Sequence, residues 1–336
     1  MTEDVLHRDY CPNCKKRVEP KLPDVLPNCT LGNRVLVLAA MLHYSQGLTI
    51  SQIVDTFNFH LRMKVTPGGL VQMWHRLAEL LFAWYEQIQA ECLDSARLNA
   101  DETGWRVQGK TFWLWCFTGV DAVFYMIDRS RGSPALQKFF IKAFEGVLIT
   151  DFWSPYDAIV CGDQQKCWPH LLRDMASVDE KHSGDKEWQS FARRVISVYR
   201  EAKKLQAAKA TTVEVDYDIA VMQLENRLTT IAGEDWIHRD AARLAKRLSR
   251  YGDQLLTFLS YDDAPSDNNH GERQIRPAVM IRKTSYGNHS DRGMLIQSVP
   301  MTIFRTLKLR GHHPLETILN ALAQTGKIPP LPQKAE

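Results

Sequence analysis

The first strong pattern in the chain is an almost wholly apolar block, Arg34 to Tyr44, closed by Gly47, which predicts a helix. Thr49-Ile50-Ser51-Gln52 has the form of a capping box and predicts a second helix running to about Phe57. Thr66-Pro67 then offers an N-cap followed by proline at the first helical position. Behind it Leu70, Met73, Trp74, Leu77, Leu81, Trp84 and Ile88 recur at spacings of three and four, so one long helix is expected to about Cys92. Short helices joined by tight turns and closed by a long one suit a helix-turn-helix DNA reader and equally a plain helical bundle.

Near Arg97 the period changes. Arg97–Val107, Thr111–Thr118 and Ala122–Ile127 read as strands, divided by Gly109-Lys110 and by Gly119–Asp121. Trp113, Trp115 and Phe117 alternate, as on a strand with one buried face. The short connections predict an antiparallel meander. A helix over Ser133–Phe144, with Pro134 in its first turn, and an apolar strand over Gly146–Thr150 follow. From about 184 to 259 helical spacing returns: Trp188, Phe191, Val195 and Tyr199, then Val221, Leu224, Leu228 and Ile231, then Leu244, Leu248, Leu255 and Leu256. Further helices are expected from near Asp267 and over Pro314–Gln324, and no internal repeat is visible. Strand, strand, strand, helix, strand is the order of a ribonuclease-H-like α/β core, here with a helical insertion.

Composition changes this picture little. At 336 residues, 44% apolar and 24% charged, the chain is of ordinary globular type and long enough for more than one core. No apolar run approaches the ~18–20 residues of a membrane span. The charged segment Met1–Cys11 lacks the apolar stretch of a secretory signal. Seven scattered cysteines suit reduced thiols, and hence a cytoplasmic protein. Cys11-Pro12-Asn13-Cys14 is half of a zinc knuckle, for which Cys29 and His7 are the candidate partners; the alternative is a turn with two free thiols. A net charge of +3 does not identify a nucleic-acid partner, but eight Lys/Arg stand against three acids between Asp267 and Arg310.

Three carboxylates are candidates for chemistry. Asp101 interrupts a strand where a charge has no packing reason, and Asp151 ends an apolar strand, where α/β sheets present ligands to a cleft. Glu272 follows Asp267, which can cap a helix start. Were the first and fourth strands adjacent, Asp101 and Asp151 would lie side by side, a costly arrangement unless cations sit between them. Two Mg²⁺ about 4 Å apart, or Mn²⁺, are what an in-line phosphoryl displacement requires. Taken singly, each acid is more often a cap or a surface charge.

The run Asp101-Glu102-Thr103-Gly104-Trp105-Arg106-Val107 with Trp113-Leu114-Trp115 resembles the insertion-sequence-66 family of transposases. So do Asp151 with Tyr156, Cys167-Trp168-Pro169-His170-Leu171-Leu172-Arg173, Asp267-Asn268-Asn269, Glu272-Arg273, Arg276-Pro277 and Arg282-Lys283, in the family's order over roughly residues 97–325. The resemblance implies a DDE transposase that cleaves transposon-end DNA and joins it to target DNA, with Asp101, Asp151 and Glu272 holding two Mg²⁺ or Mn²⁺. By the same analogy His170, Arg173 and Arg276 are accessory candidates. Arg273, Arg282 and Lys283 are DNA-binding candidates. For His170 the plain alternative is a core histidine; for Arg276 it is a pair with Glu272 one helical turn away.

The implied organisation is a small Cys-containing module (1–32), a helical DNA-binding domain (33–95), the first part of the core (96–183), a helical insertion (184–262), and a last catalytic helix with C-terminal basic helices (263–336). Partners are then DNA, further copies of the chain on DNA, and accessory transposition proteins, with no membrane. Unlike many family members the chain begins almost directly at Cys11, so it is expected either to lack part of the end-recognition or dimerisation machinery or to draw it from a partner protein. The rival functions are a transposase-derived DNA-binding regulator without cleavage and a structure-specific nuclease.

Overall fold

A computed structural model describes residues 5–18, 20, 22–27, 29–324 and 327–335. Residues 1–4, 19, 21 and 28 of the expected N-terminal module therefore lie outside the described ones. The elements in order are β1 (Asp9–Cys11), β2 (Lys16–Val18), α1 (Asn33–Tyr44), α2 (Ile50–Asp55), a π-helical turn (Thr56–His60), α3 (Pro67–Leu80), α4 (Phe82–Leu93), β3 (Arg97–Val107), β4 (Lys110–Thr118), β5 (Val123–Asp128), α5 (Ser133–Phe139), β6 (Phe144–Thr150), β7 (Cys161–Lys166), α6 (Trp168–His182), α7 (Lys186–Ala208), α8 (Glu214–Gly233), α9 (Arg239–Leu256), α10 (Asn269–Ser285), α11 (Asp291–Leu309) and α12 (Pro314–Leu322). They form two compact units: residues 1–87 with 280–336, and residues 88–279.

The first unit is helical, with the β1–β2 hairpin near the N-terminus. Its start signals work as their chemistry requires. Thr49 and Gln52 form the reciprocal capping box at α2, and the Thr66 hydroxyl accepts from the Gly69 N–H at 3.1 Å to begin α3. The expected long helix from Pro67 is interrupted once, at Leu81, whose ψ of 5° leaves the helical range. Leu77, Leu81, Trp84 and Ile88 are nevertheless all buried, so the apolar stripe runs across the interruption. Nothing in its apolar spacing marks the break.

The second unit is mixed α/β. One sheet has the order β5-β4-β3-β6-β7, with β3–β4 and β4–β5 antiparallel and β3–β6 and β6–β7 parallel. The predicted meander is present, and its first strand covers the expected residues, Arg97–Val107. Two expectations need correction. The helix from Ser133 ends at Phe139 rather than Phe144, because Phe139 stacks on Phe117 at 3.7 Å and Phe140 turns away to meet both rings edge-on. A fifth strand, β7, was not expected from Cys161-Gly162-Asp163-Gln164-Gln165-Lys166, which is polar throughout.

One face of the sheet is covered by the aromatic cluster Phe117, Phe124, Phe139 and Phe140. Val147 and Ile149 of β6 join a core built from α6 to α9, in which Trp188, Phe191 and Val195, Leu224, Leu228 and Ile231, and Leu244, Leu248, Leu255 and Leu256 are buried. The helical stripes of the sequence thus face one another. Gly146 is needed where β6 meets the start of β3, since a Cβ there would lie 2.4 Å from the Ala96 carbonyl oxygen. No described helix is long and apolar enough to cross a membrane.

Candidate active site

The parallel register of β3 and β6 places the first two acids. Arg97 pairs with Val147, Leu98 with Leu148 and Asn99 with Ile149, an offset of 147 − 97 = 50 residues. Asp101 and Asp151 are separated by the same offset, 151 − 101 = 50, so each follows the last paired row, Asn99 with Ile149, by two residues. Asp101 lies within β3 opposite Cys116 of β4, and Asp151 follows the last residue of β6. Asp151 is held by the Trp153 backbone N–H, which donates to its Oδ1 at 2.8 Å.

Glu272 comes from the first turn of α10. Asp267 Oδ1 accepts from the Asn269 N–H at 3.0 Å, the expected capping contact. Asn268 ties this turn to the sheet: its Oδ1 accepts from Asn99 Nδ2 at 2.8 Å and its Nδ2 donates to the Ala100 carbonyl at 3.0 Å. The charges of Asp151 and Glu272 both act on Asp101. Burial first, then Glu102 and these two acids, push its carboxyl up to about 7, against the lowering effect of the Glu102 N–H.

Glu272 has cationic and imidazole neighbours. Arg173 donates to its Oε1 at 3.3 Å, and His170 Nδ1 is 3.9 Å from the same oxygen. Burial, with the Arg173 charge, moves His170 below the usual histidine range, so it stands neutral beside the acid. Cys167, His170 and Glu272 are close enough to share a cation. Burial, however, raises the Cys167 thiol to about 11, and its sulfur already accepts from the Asn268 N–H at 3.2 Å. Through that bond Cys167 joins the start of α6 to the start of α10.

Arg273 and Arg276 are exposed on α10 and make no ion pair among the described residues; Glu272 pairs with Arg173 instead of Arg276. Arg282 and Lys283 occupy the last turn of α10, in the portion that belongs to the other unit. In the β1–β2 hairpin, hydrogen bonds from the Cys14 backbone and then its side chain hold the Cys11 thiol below the usual range. Cys29 instead accepts from Arg76 at 3.3 Å, and His7 is exposed. Among the described residues no three of Cys11, Cys14, Cys29 and His7 come together as a ligand group.

Glu102, Asn99 and Asn268 lie around the acids without a role expected from sequence. Glu102 is buried on the opposite face of β3 from Asp101 by strand alternation, with Tyr156 donating to its Oε2 at 2.6 Å. Its place beside Asp101 was the one available signal; the two asparagines act across 169 residues, where sequence spacing carries none.

A protein of Sinorhizobium fredii (strain NBRC 101917 / NGR234), described as uncharacterized protein y4qI, is 22% identical over 324 residues. The match covers 87% of this chain and 59% of that protein, so the chain spans less than two thirds of this curated relative. The family described as "Transposase IS66 family" matches residues 28–295, about four fifths of the sequence. The chain belongs to the IS66 family of transposases.

Proposed function

We propose that the chain is a DDE transposase that cleaves transposon-end DNA and transfers the cut strand into target DNA, working in the cytoplasm on a ribonuclease-H-like core. One observation supports the reading: Asp101 and Asp151 each follow the last paired row of β3 and β6 by two residues, at the same end of the sheet. The sheet order, with the first strand of the meander central and parallel to the fourth, supports the core assignment, as does delivery of the last acid after a block of helices.

The donor set fits divalent cations. Three carboxylates supply oxygen only, which suits Mg²⁺ or Mn²⁺. Asp101, buried among other acids, is held poorly as an isolated anion, and positive charge is what its surroundings lack. Asp101, Asp151 and Glu272 would be the residues that hold the ions. When bound, such ions activate the attacking hydroxyl and stabilise the leaving oxygen. The chain's own groups then orient the reaction: Trp153 fixes Asp151, Arg173 fixes Glu272, and neutral His170 stands beside them. The exposed Arg273 and Arg276, together with Arg282 and Lys283, would meet DNA phosphates. The paired Cys11 and Cys14 are proposed as half of a zinc site.

The test is cleavage and joining of labelled transposon-end DNA in Mg²⁺ or Mn²⁺, wild type against Asp151→Ala. Metal-dependent nicks and joined products are expected from wild type, with both lost in D151A while DNA binding survives. Binding without chemistry in either protein would favour the regulator, and nicks without joined products the nuclease.

A further inference from the structure

Arg131 lies in the turn between β5 and α5, three residues beyond Asp128. Its guanidinium carbon is 4.4 Å from the Trp113 ring centroid and 4.0 Å from that of Trp153. Nε and one terminal nitrogen both reach Glu102 Oε1, at 3.1 and 3.0 Å. The other oxygen of Glu102 accepts from Tyr156, so this carboxylate is satisfied within the protein. Trp153 closes the cage by donating its indole N–H to the Arg131 carbonyl at 3.0 Å. The same residue's backbone N–H holds Asp151.

Exposure separates the two members of the ion pair. The Glu102 side chain is 3% exposed and that of Arg131 is 40% exposed. Two rings and a carboxylate fix one edge of the guanidinium, while its other terminal nitrogen, Nη1, has no acceptor among the described residues. An arginine serving only to neutralise Glu102 has no need of a water-facing edge. A planar cation already immobilised by stacking loses little freedom on gripping a ligand, and its fork geometry matches phosphate.

We infer that Arg131 is a DNA-phosphate contact, preset by Glu102, Trp113 and Trp153 for the strand that runs past Asp151. The inference rests on the transposase reading above. Glu102 serves that contact from within the protein, with its two oxygens engaged by Arg131 and Tyr156.

The experiment is fluorescence anisotropy with a labelled random-sequence DNA duplex, titrated at several salt concentrations, for wild type, Arg131→Met and Arg131→Lys. Each phosphate contact contributes about 0.9 to the slope of log affinity against log salt. R131M should bind more weakly and lose about one unit of slope, and R131K should recover the slope because it keeps the charge. R131Q carries the same expectation as R131M should the methionine variant not fold. A folded R131M or R131Q with the wild-type slope would overturn the inference, even if its thermal midpoint falls, since a purely structural ion pair changes stability and not counterion release. Wild type with no salt-dependent DNA binding would sink the transposase reading itself.

Discussion

Asn268 commits both ends of its side-chain amide to β3, through Asn99 and the Ala100 carbonyl. Beside it Gly271 leaves no room for a side chain, because an added Cβ would stand 2.8 Å from Asn268 Oδ1 and 3.2 Å from the Asn99 Cβ. The first turn of α10, and with it Glu272, is thereby tied to the strand that carries Asp101. Asn268→Ala leaves the buried Asn99 amide without this acceptor, a loss of about 1–3 kcal/mol that urea unfolding would read. It also frees Glu272 to drift, and a displacement of about 1 Å at a reacting centre costs about 10²-fold in rate. Cleavage should fall by that order while DNA affinity holds; destabilisation with an unchanged rate would show that Glu272 is positioned some other way. Asp101 stood out in sequence because a charge there has no packing reason and Asp151 because it ends an apolar strand, while Glu272 joined them through the family resemblance. Asn99 and Arg131 gave no such signal, and Asn268 entered only as part of a motif without a role, since each is defined by partners distant in sequence or by its exposure.

The same division appears among the elements. The meander was readable because alternation and short turns are local properties, and the helical block because its stripes persist over several turns. β7 has no such signature. It is buried at Gln165 and Lys166, polar residues matched individually: Gln165 to the Leu255 carbonyl and the Phe258 N–H, and Lys166 to Asp157 and Thr150. Only the partners make such a strand, so its own sequence reads as loop. The apolar strand β6 was readable, but its register rests on Gly146, whose place beside Ala96 sets how β6 enters the sheet. Gly146→Ala puts a methyl group 2.4 Å from a backbone oxygen, and the strand must shift to accept it. A cost of about 1–3 kcal/mol is expected from overpacking of this kind. The shift also moves Asp151 along the row from Asp101, so Mn²⁺ affinity by calorimetry should weaken along with stability. Unchanged Mn²⁺ binding in a destabilised G146A would separate the entry of β6 from the geometry at its end.

For the whole molecule, the division into units was the least legible feature. The first unit draws on both ends of the chain: Trp84 donates to the Pro329 carbonyl at 2.6 Å, and Arg34 meets Glu316 at 3.1 Å. Contacts spanning more than 200 residues leave no periodic trace. Charge at this scale says little either, because a net +3 conceals the local basic excess after Asp267. The proposed reaction makes a firmer demand. Two transposon ends must be cut and joined to one target, and the proposed triad supplies one set of three acids per chain. Two chains are therefore needed to act on two ends together, most simply as a two-fold pair. Light scattering of the protein with paired end DNA should give two chains per complex at least, and mixing wild type with D151A should lower two-ended joining more steeply than single-end cleavage. If cleavage and joining instead scale together with the wild-type fraction, and the active complex holds one chain, then one cluster processes both ends in succession and the paired assembly is wrong.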